Sequence, residues 1–178
     1  MPSKQKEKPS TKLQDISKLR YRKHLNIVIV SVILLLIATS LASSTLLIYL
    51  FGVDGNNFKF NLVGVVIAVS VVFGLLKVLR YEPFLYEVMY VWELKKSINL
   101  INRRLNKVIE AVETGDAEAM QALNYCYQAS RQLYTLDDNT INMAELEEAI
   151  VHLQDQAKQA SVKLELSAYD PRCLVNYR

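Results

Sequence analysis

Two apolar runs constrain this chain more than anything else in it. Residues 25–51 form a stretch of 27 without a charged side chain, and residues 60–79 form a second that is interrupted only by Lys77. The short segment 52–61 joins them. At about 1.5 Å per residue, a helix over the first run reaches roughly 40 Å, more than the ~30 Å of hydrocarbon in a bilayer. The run is also well beyond the roughly 7–15 residues of a cleavable signal core, and it reads as an uncleaved signal anchor. Leu, Ile, Val and Phe supply 17 of its 27 residues, which strongly favours insertion. The two runs predict an all-α membrane protein built on a two-helix transmembrane hairpin. Asp54-Gly55-Asn56-Asn57 provides the turn, and Lys77 reads as a side chain that snorkels to the headgroups.

Charge is segregated around this hairpin. Residues 1–24 carry eight Lys/Arg against two Asp/Glu, whereas residues 82–178 carry ten against fifteen. The first segment is a basic arm. Lys4, Lys6, Lys8 and Lys12, spaced by Ser, Gln, Glu and Pro, lie in a stretch too poor in apolar residues to fold, so residues 1 to about 12 are expected to be disordered. Further on, Lys18, Arg20, Arg22 and Lys23 surround Ile16 and Leu19, as suits a short helix on an anionic inner leaflet, where each cation is worth on the order of 1 kcal/mol. Topology signalling accounts for the arm without nucleic acid. The connecting loop holds only Asp54 and Lys59, and Lys77 and Arg80 flank the second exit. The positive-inside rule therefore predicts both termini in the cytoplasm and 52–61 outside.

Inside the spans, residues 38–45 read Ala-Thr-Ser-Leu-Ala-Ser-Ser-Thr. Folding the hairpin about residues 56 and 57 sets this stretch at the depth of Ala68, Ser70 and Gly74. Small residues at one depth permit close helix contact in lipid. The alternative is that Ser40, Ser44 and Ser70 line a polar path. No Asp, Glu, Arg or His lies mid-span, so an ion-coupled transporter lacks its usual parts.

Beyond the spans the periodicity becomes helical. Pro83 suits the first turn of a new helix. Phe84, Leu85, Val88, Met89 and Trp92 share one face, either as an interfacial belt or as the base of a soluble core. Val91, Leu94, Ile98, Ile101, Leu105, Val108 and Val112 then follow 3-4 spacing without exception, the seam of a coiled coil or bundle. Gly115 ends this helix. A second helix runs to about Leu136 on Met120, Leu123, Tyr127 and Leu133/Tyr134. A third starts at a capping box, Asn142 and Glu145, and carries Met143, Leu146, Ile150, Leu153, Ala157, Ala160 and Leu164. Short connections make these an up-down-up three-helix bundle over 82–167, with the first and third seams in principal contact and residues 168–178 as a loose tail.

No phosphate loop, dinucleotide fingerprint, zinc-protease helix or nucleophile elbow is present. Cys126 and Cys173 lack metal or redox spacing. His24 and His152 read as ordinary boundary or surface residues. Asp137-Asp138 and Glu145/Glu147/Glu148 read as turn and helix-start charges favoured by the helix dipole. No catalytic, cofactor-binding or metal residue is assigned.

Four strings carry a family likeness: Leu13-Gln14-Asp15-Ile16, Tyr21-Arg22-Lys23-His24-Leu25-Asn26, Arg80-Tyr81-Glu82-Pro83-Phe84 and Tyr169-Asp170-Pro171. With this layout the chain resembles a family of short, two-span bacterial inner-membrane proteins carrying a domain of unknown function. The resemblance implies a bacterial inner membrane and no particular activity. The expectation is therefore a non-enzymatic, membrane-anchored helical adaptor that recruits a protein partner or a second copy through its cytoplasmic helices. The rival is a small oligomeric channel or transporter accessory with residues 38–45 facing a lumen.

Overall fold

The computed structural model describes residues 13–53 and 55–177. Residues 1–12, with the expected disorder and Lys4, Lys6, Lys8 and Lys12, lie outside them, as does Asp54. The fold is all-α, with no strand among the described residues. Six α-helices follow in order: α1 (Lys18–Phe51), α2 (Phe58–Leu79), α3 (Tyr86–Asn102), α4 (Leu105–Glu113), α5 (Ala117–Asp137) and α6 (Met143–Gln159). Short 3-10 turns lie at Pro83–Leu85, Leu166–Ala168 and Pro171–Asn176. The chain divides into two compact units. One is Leu19–Met89, and the other joins the residues before it to those from Tyr90 onward.

In the hairpin unit, α1 and α2 are long and apolar enough to cross a membrane. Their buried positions are few. On α2 these are Gly64, Ala68 and Val72, four residues apart and so on one face. At Gly64 the two helices approach closely. A Cβ there would stand 2.9 Å from both the Cβ and the backbone N of Ser44, and 3.0 Å from the backbone O of Ser40. The Ser44 hydroxyl donates to the Asn61 side-chain oxygen.

Small residues therefore do meet, but not in the register expected. Ser40 and Ser44 face Gly64, whereas Ser70 is exposed and donates to its own helix at the Val66 carbonyl, 2.8 Å away. Gly74 has open space beside it. The cause is the turn. Helix α2 resumes at Phe58, so the fold point falls before residue 56 and the second helix is displaced along the first.

The helical domain is organised on α5, which packs against α4 and α6 and against both C-terminal 3-10 turns. The expected principal contact between the first and third seams is replaced by this central helix. Its burial is broad, and Ala119, Met120, Ala122, Leu123, Asn124, Tyr125, Cys126, Ala129 and Ser130 are all buried. A helix with neighbours on several sides shows no narrow stripe, and the apolar spacing of α5 is accordingly less regular than that of 91–112.

The 3-4 seam is an intramolecular core. Val91, Leu94, Ile98, Ile101, Val108 and Val112 are buried. The helix that carries it is not continuous. At Arg104 the ladder slips to a bond with the Ile101 carbonyl at 2.8 Å, and α4 starts afresh at Leu105. Leu85 is buried in the hairpin unit, while Tyr81, Phe84 and Tyr86 remain exposed.

Helix ends explain the remaining differences. Gly115 takes φ +85 after α4, and the Asp116 carboxylate accepts from the N–H groups of Glu118 (2.8 Å) and Ala119 (3.2 Å) to start α5. Asn142 precedes α6 but its side chain makes no capping bond, so the expected capping box does not form. Helix α6 stops at Gln159, short of the expected end near 167. Ser161 there adopts φ 57, and the Val162 N–H reaches back to the Ala157 carbonyl at 2.8 Å, the closing bond of a Schellman-type end.

Residues 168–177, expected to belong to a loose tail, are folded. Tyr169 stacks on Tyr125 at 4.6 Å, and Leu174 and Tyr177 are buried. The Tyr177 hydroxyl donates to Asp116 at 3.0 Å. The Gln121 side chain holds the strand-like approach to this segment, donating to the Lys163 carbonyl (2.7 Å) and accepting from the Glu165 N–H (2.9 Å).

The end of the expected basic arm is also folded. Leu13 packs against the domain core. The Gln14 N–H donates to the Tyr90 hydroxyl (2.9 Å), which donates to Gln132 (2.7 Å), which in turn donates to the Gln14 carbonyl (2.6 Å). Lys18 pairs with Asp138. The arm boundary at residue 24 therefore dissolves, because residues 13–18 belong with the helical domain and α1 begins at Lys18.

Candidate functional site

A buried carboxylate lies within the hairpin unit, where Arg20 and His24 meet Glu87. Arg20 and His24 are four residues apart on α1 and so share a face. Glu87 is in the first turn of α3, where the helix dipole favours a carboxylate. The turn Pro83–Leu85 aims that helix, with Pro83 at its first position and the Leu85 N–H bonded to Glu82 O at 2.9 Å.

The Glu87 side chain is only 4% exposed. Arg20 Nη2 lies 2.8 Å from one carboxylate oxygen and His24 Nδ1 lies 3.2 Å from the other. Because an ionised carboxylate only accepts, Nδ1 carries the proton in this contact. The His24 ring leans on Phe84, with centroids 4.3 Å apart. An apolar groove of about 370 Å³, walled by Val28, Leu35, Val72, Leu76, Phe84 and Leu85, opens in the same unit.

Burial alone would raise the Glu87 pKa. Its own backbone N–H, the His24 hydrogen bond and the positive charges of Arg20 and His24 outweigh burial and hold it below the usual carboxylate range. A carboxylate held in that state is a poor general base. The cluster works as an electrostatic lock between the start of α1 and the start of α3.

Its pH dependence follows. With the folded-state pKa depressed, the stabilisation is present above the unfolded value near 4.5 and is lost as pH falls through the folded pKa. As pH falls below 4.5, the protection of the 84–89 amides, taken relative to intrinsic exchange at the same pH, is expected to fall, and Glu87→Gln is expected to show that reduced protection already at neutral pH. Equal exchange in the variant and the parent at pH 7 would remove the lock.

His24 is thus a partnered residue at 16% side-chain exposure and not an ordinary boundary position. Sequence reading missed Glu87 altogether. The available signal was a lone carboxylate amid Phe84, Leu85, Val88 and Met89.

Of the cations expected at a lipid surface, Lys18 and Arg20 are engaged in ion pairs. The thiols offer no reactive alternative. Burial pushes Cys126 up to about 11, and burial together with Glu118, Asp170 and Asp116 pushes Cys173 up to about 11. Both stay protonated at neutral pH and are weak nucleophiles. Among the described residues no group of three His, Cys, Asp or Glu is placed to hold a metal ion.

A family model described as "Protein of unknown function (DUF3087)" matches residues 11–174. No curated protein and no solved structure matches the chain.

Proposed function

We propose, from the premise that this chain belongs to the DUF3087 family of proteins of unknown function, that it is a two-span membrane protein whose helical domain acts as a non-enzymatic adaptor. The observation that carries the membrane part is the coat of the hairpin. Leu34, Ile37, Leu41, Leu46, Val66 and Phe73 are each more than half exposed. In the most apolar stretch of α1 no residue is buried, and in that of α2 only 17% are. A helix from the core of a soluble domain would be mostly covered. An apolar surface this extensive is not tolerated in water, and lipid is the medium that accommodates it.

Two consecutive spans return the chain to its starting side. Arg22, Lys23, Lys77 and Arg80 at the open end, against Lys59 at the closed end, favour the cytoplasm for that side. A bacterial inner membrane fits the arrangement. The contact of Ser40 and Ser44 with Gly64 favours a dry, packed hairpin over a shared lumen. The helical domain then serves by binding a protein.

The protein is expected to stay in the membrane pellet after alkaline carbonate. Reporters fused after Trp92 should read cytoplasmic and one inserted at Gly55 should read external. Release by carbonate, or an external reading after Trp92, would overturn the topology. Crosslinking in native membranes should capture another protein or a second copy, and recovery of monomer alone would remove the adaptor role.

A further inference from the structure

The helical domain carries a groove that the contacts described so far leave open. It runs between α4 and α6 over α5 and encloses about 380 Å³. Val112, Leu123 and Leu153, all buried, form its floor. Ile109, Tyr127 and Ala149 form half-exposed walls. The rim is acidic. Glu113 stands on α4, and Glu145 and Glu148 stand on α6 with His152 beside them, all four exposed.

Among the described residues, three cations of α4, α5 and α6 are already paired. Lys107 pairs with Glu110, Arg131 with Glu147, and Lys158 with Asp155. Glu113, Glu145 and Glu148 have no ion-pair or hydrogen-bond partner among the described residues. Glu145 is at home in the first turn of α6, where the helix dipole welcomes a carboxylate. Glu113 is not, because it is the last residue of α4, the end at which the dipole disfavours negative charge. A cation arriving over the groove would relieve that.

We propose that this groove is a docking site for a basic amphipathic helix of another protein. Its apolar face enters between α4 and α6, and its Lys or Arg side chains reach Glu113, Glu145 and Glu148. An apolar floor with a charged rim is the arrangement by which grooves take helices through residues spaced three and four apart. The volume suits two or three aliphatic anchors. The inference rests on the adaptor reading and names the chemistry of its partner. Like-charge helices are excluded by the same rim.

The test uses the full chain in zwitterionic nanodiscs, with empty nanodiscs as background. The probe is a fluorescent Leu/Lys helix of about five turns with one apolar face, and the same pattern in Leu/Glu is the control. Saturable binding of the Leu/Lys helix is expected, weakening as salt rises. The combined change Glu113→Lys, Glu145→Lys and Glu148→Lys is expected to weaken it by about tenfold or more. These side chains are exposed, and circular dichroism checks that the triple variant stays folded. Ala149→Trp, which fills the groove and leaves the rim charges in place, should weaken binding comparably.

Undiminished binding by both variants, or equal binding of the Leu/Glu helix, overturns the proposal. So does a change in self-association, with probe binding unaltered, when the groove is blocked. The titration reads the groove and crosslinking in membranes reads the adaptor role, so either can fail without the other.

Discussion

Deleting residues 171–178 is expected to abolish the cooperative melting of the helical domain or to lower its midpoint by about 15 °C or more. The expectation comes from what the segment buries. Leu174 is 2% exposed and Tyr177 is 7% exposed, and both belong to the domain's single large core cluster. Removing one buried leucine side chain alone costs about 2–5 kcal/mol, through lost transfer energy and the cavity left behind. A small domain has only about 5–15 kcal/mol in total.

The deletion also exposes the start of α5. The Asp116 carboxylate caps that helix and accepts the Tyr177 hydroxyl. Leu174→Ala should reproduce a large part of the loss. Tyr177→Phe, which keeps the ring and drops one hydrogen bond, should cost only about 1 kcal/mol. Thermal melts followed by circular dichroism check the series. A deletion that melts like the full chain would make the segment the loose tail its composition resembles.

Gly64→Ile is expected to separate the two hairpin helices. Even a single added carbon would sit 2.9 Å from Ser44 N and 3.0 Å from Ser40 O. Both are backbone atoms, so no rotamer change relieves the clash. The helices must move apart, and overpacking of this kind costs about 1–3 kcal/mol or more. The Ser44–Asn61 contact would be lost with it.

A cysteine pair at positions 44 and 61, with Cys126 and Cys173 replaced by alanine, should form a disulfide readily in the Gly64 background. In the Gly64→Ile background the yield should drop severalfold. Gly74→Ile, where nothing lies within 4 Å, should leave the yield unchanged. Equal yields for the two substitutions would mean that Gly64 does not set the helix separation.

The contrast between these two glycines marks where local reading ends. Both lie in the same apolar run, and composition cannot rank them. Choosing between them requires the register, which depends on where the turn places its fold point. The seam from Val91 to Val112 is the opposite case, since six of its seven positions are buried where their spacing puts them. Helix α5 lies between these extremes. Its helical character was readable, but its place at the centre was not, because a helix enclosed on several sides loses the stripe that betrays a face.

Helix ends divide in the same way. Gly115 announced itself, because glycine takes a positive φ without steric cost. Asp138 (φ 55) and Ser161 (φ 57) adopt the same region as ordinary residues. For them the surrounding packing supplies what the residue type does not, and so α6 read as longer than it is.

The all-helical class, the two long apolar helices, the seam of the first domain helix and the acidic character of that domain were legible along the chain. Those properties follow from run length, charge count and 3-4 spacing, which are sums over neighbours in the chain. The contact of Gly64 with Ser40 and Ser44, the buried Glu87 between Arg20 and His24, the folding back of Leu174 and Tyr177, and the acidic groove over α5 arise only in the folded chain. Each of these joins residues far apart in sequence, and the free energy that selects them resides in packing and desolvation, to which no local pattern gives access.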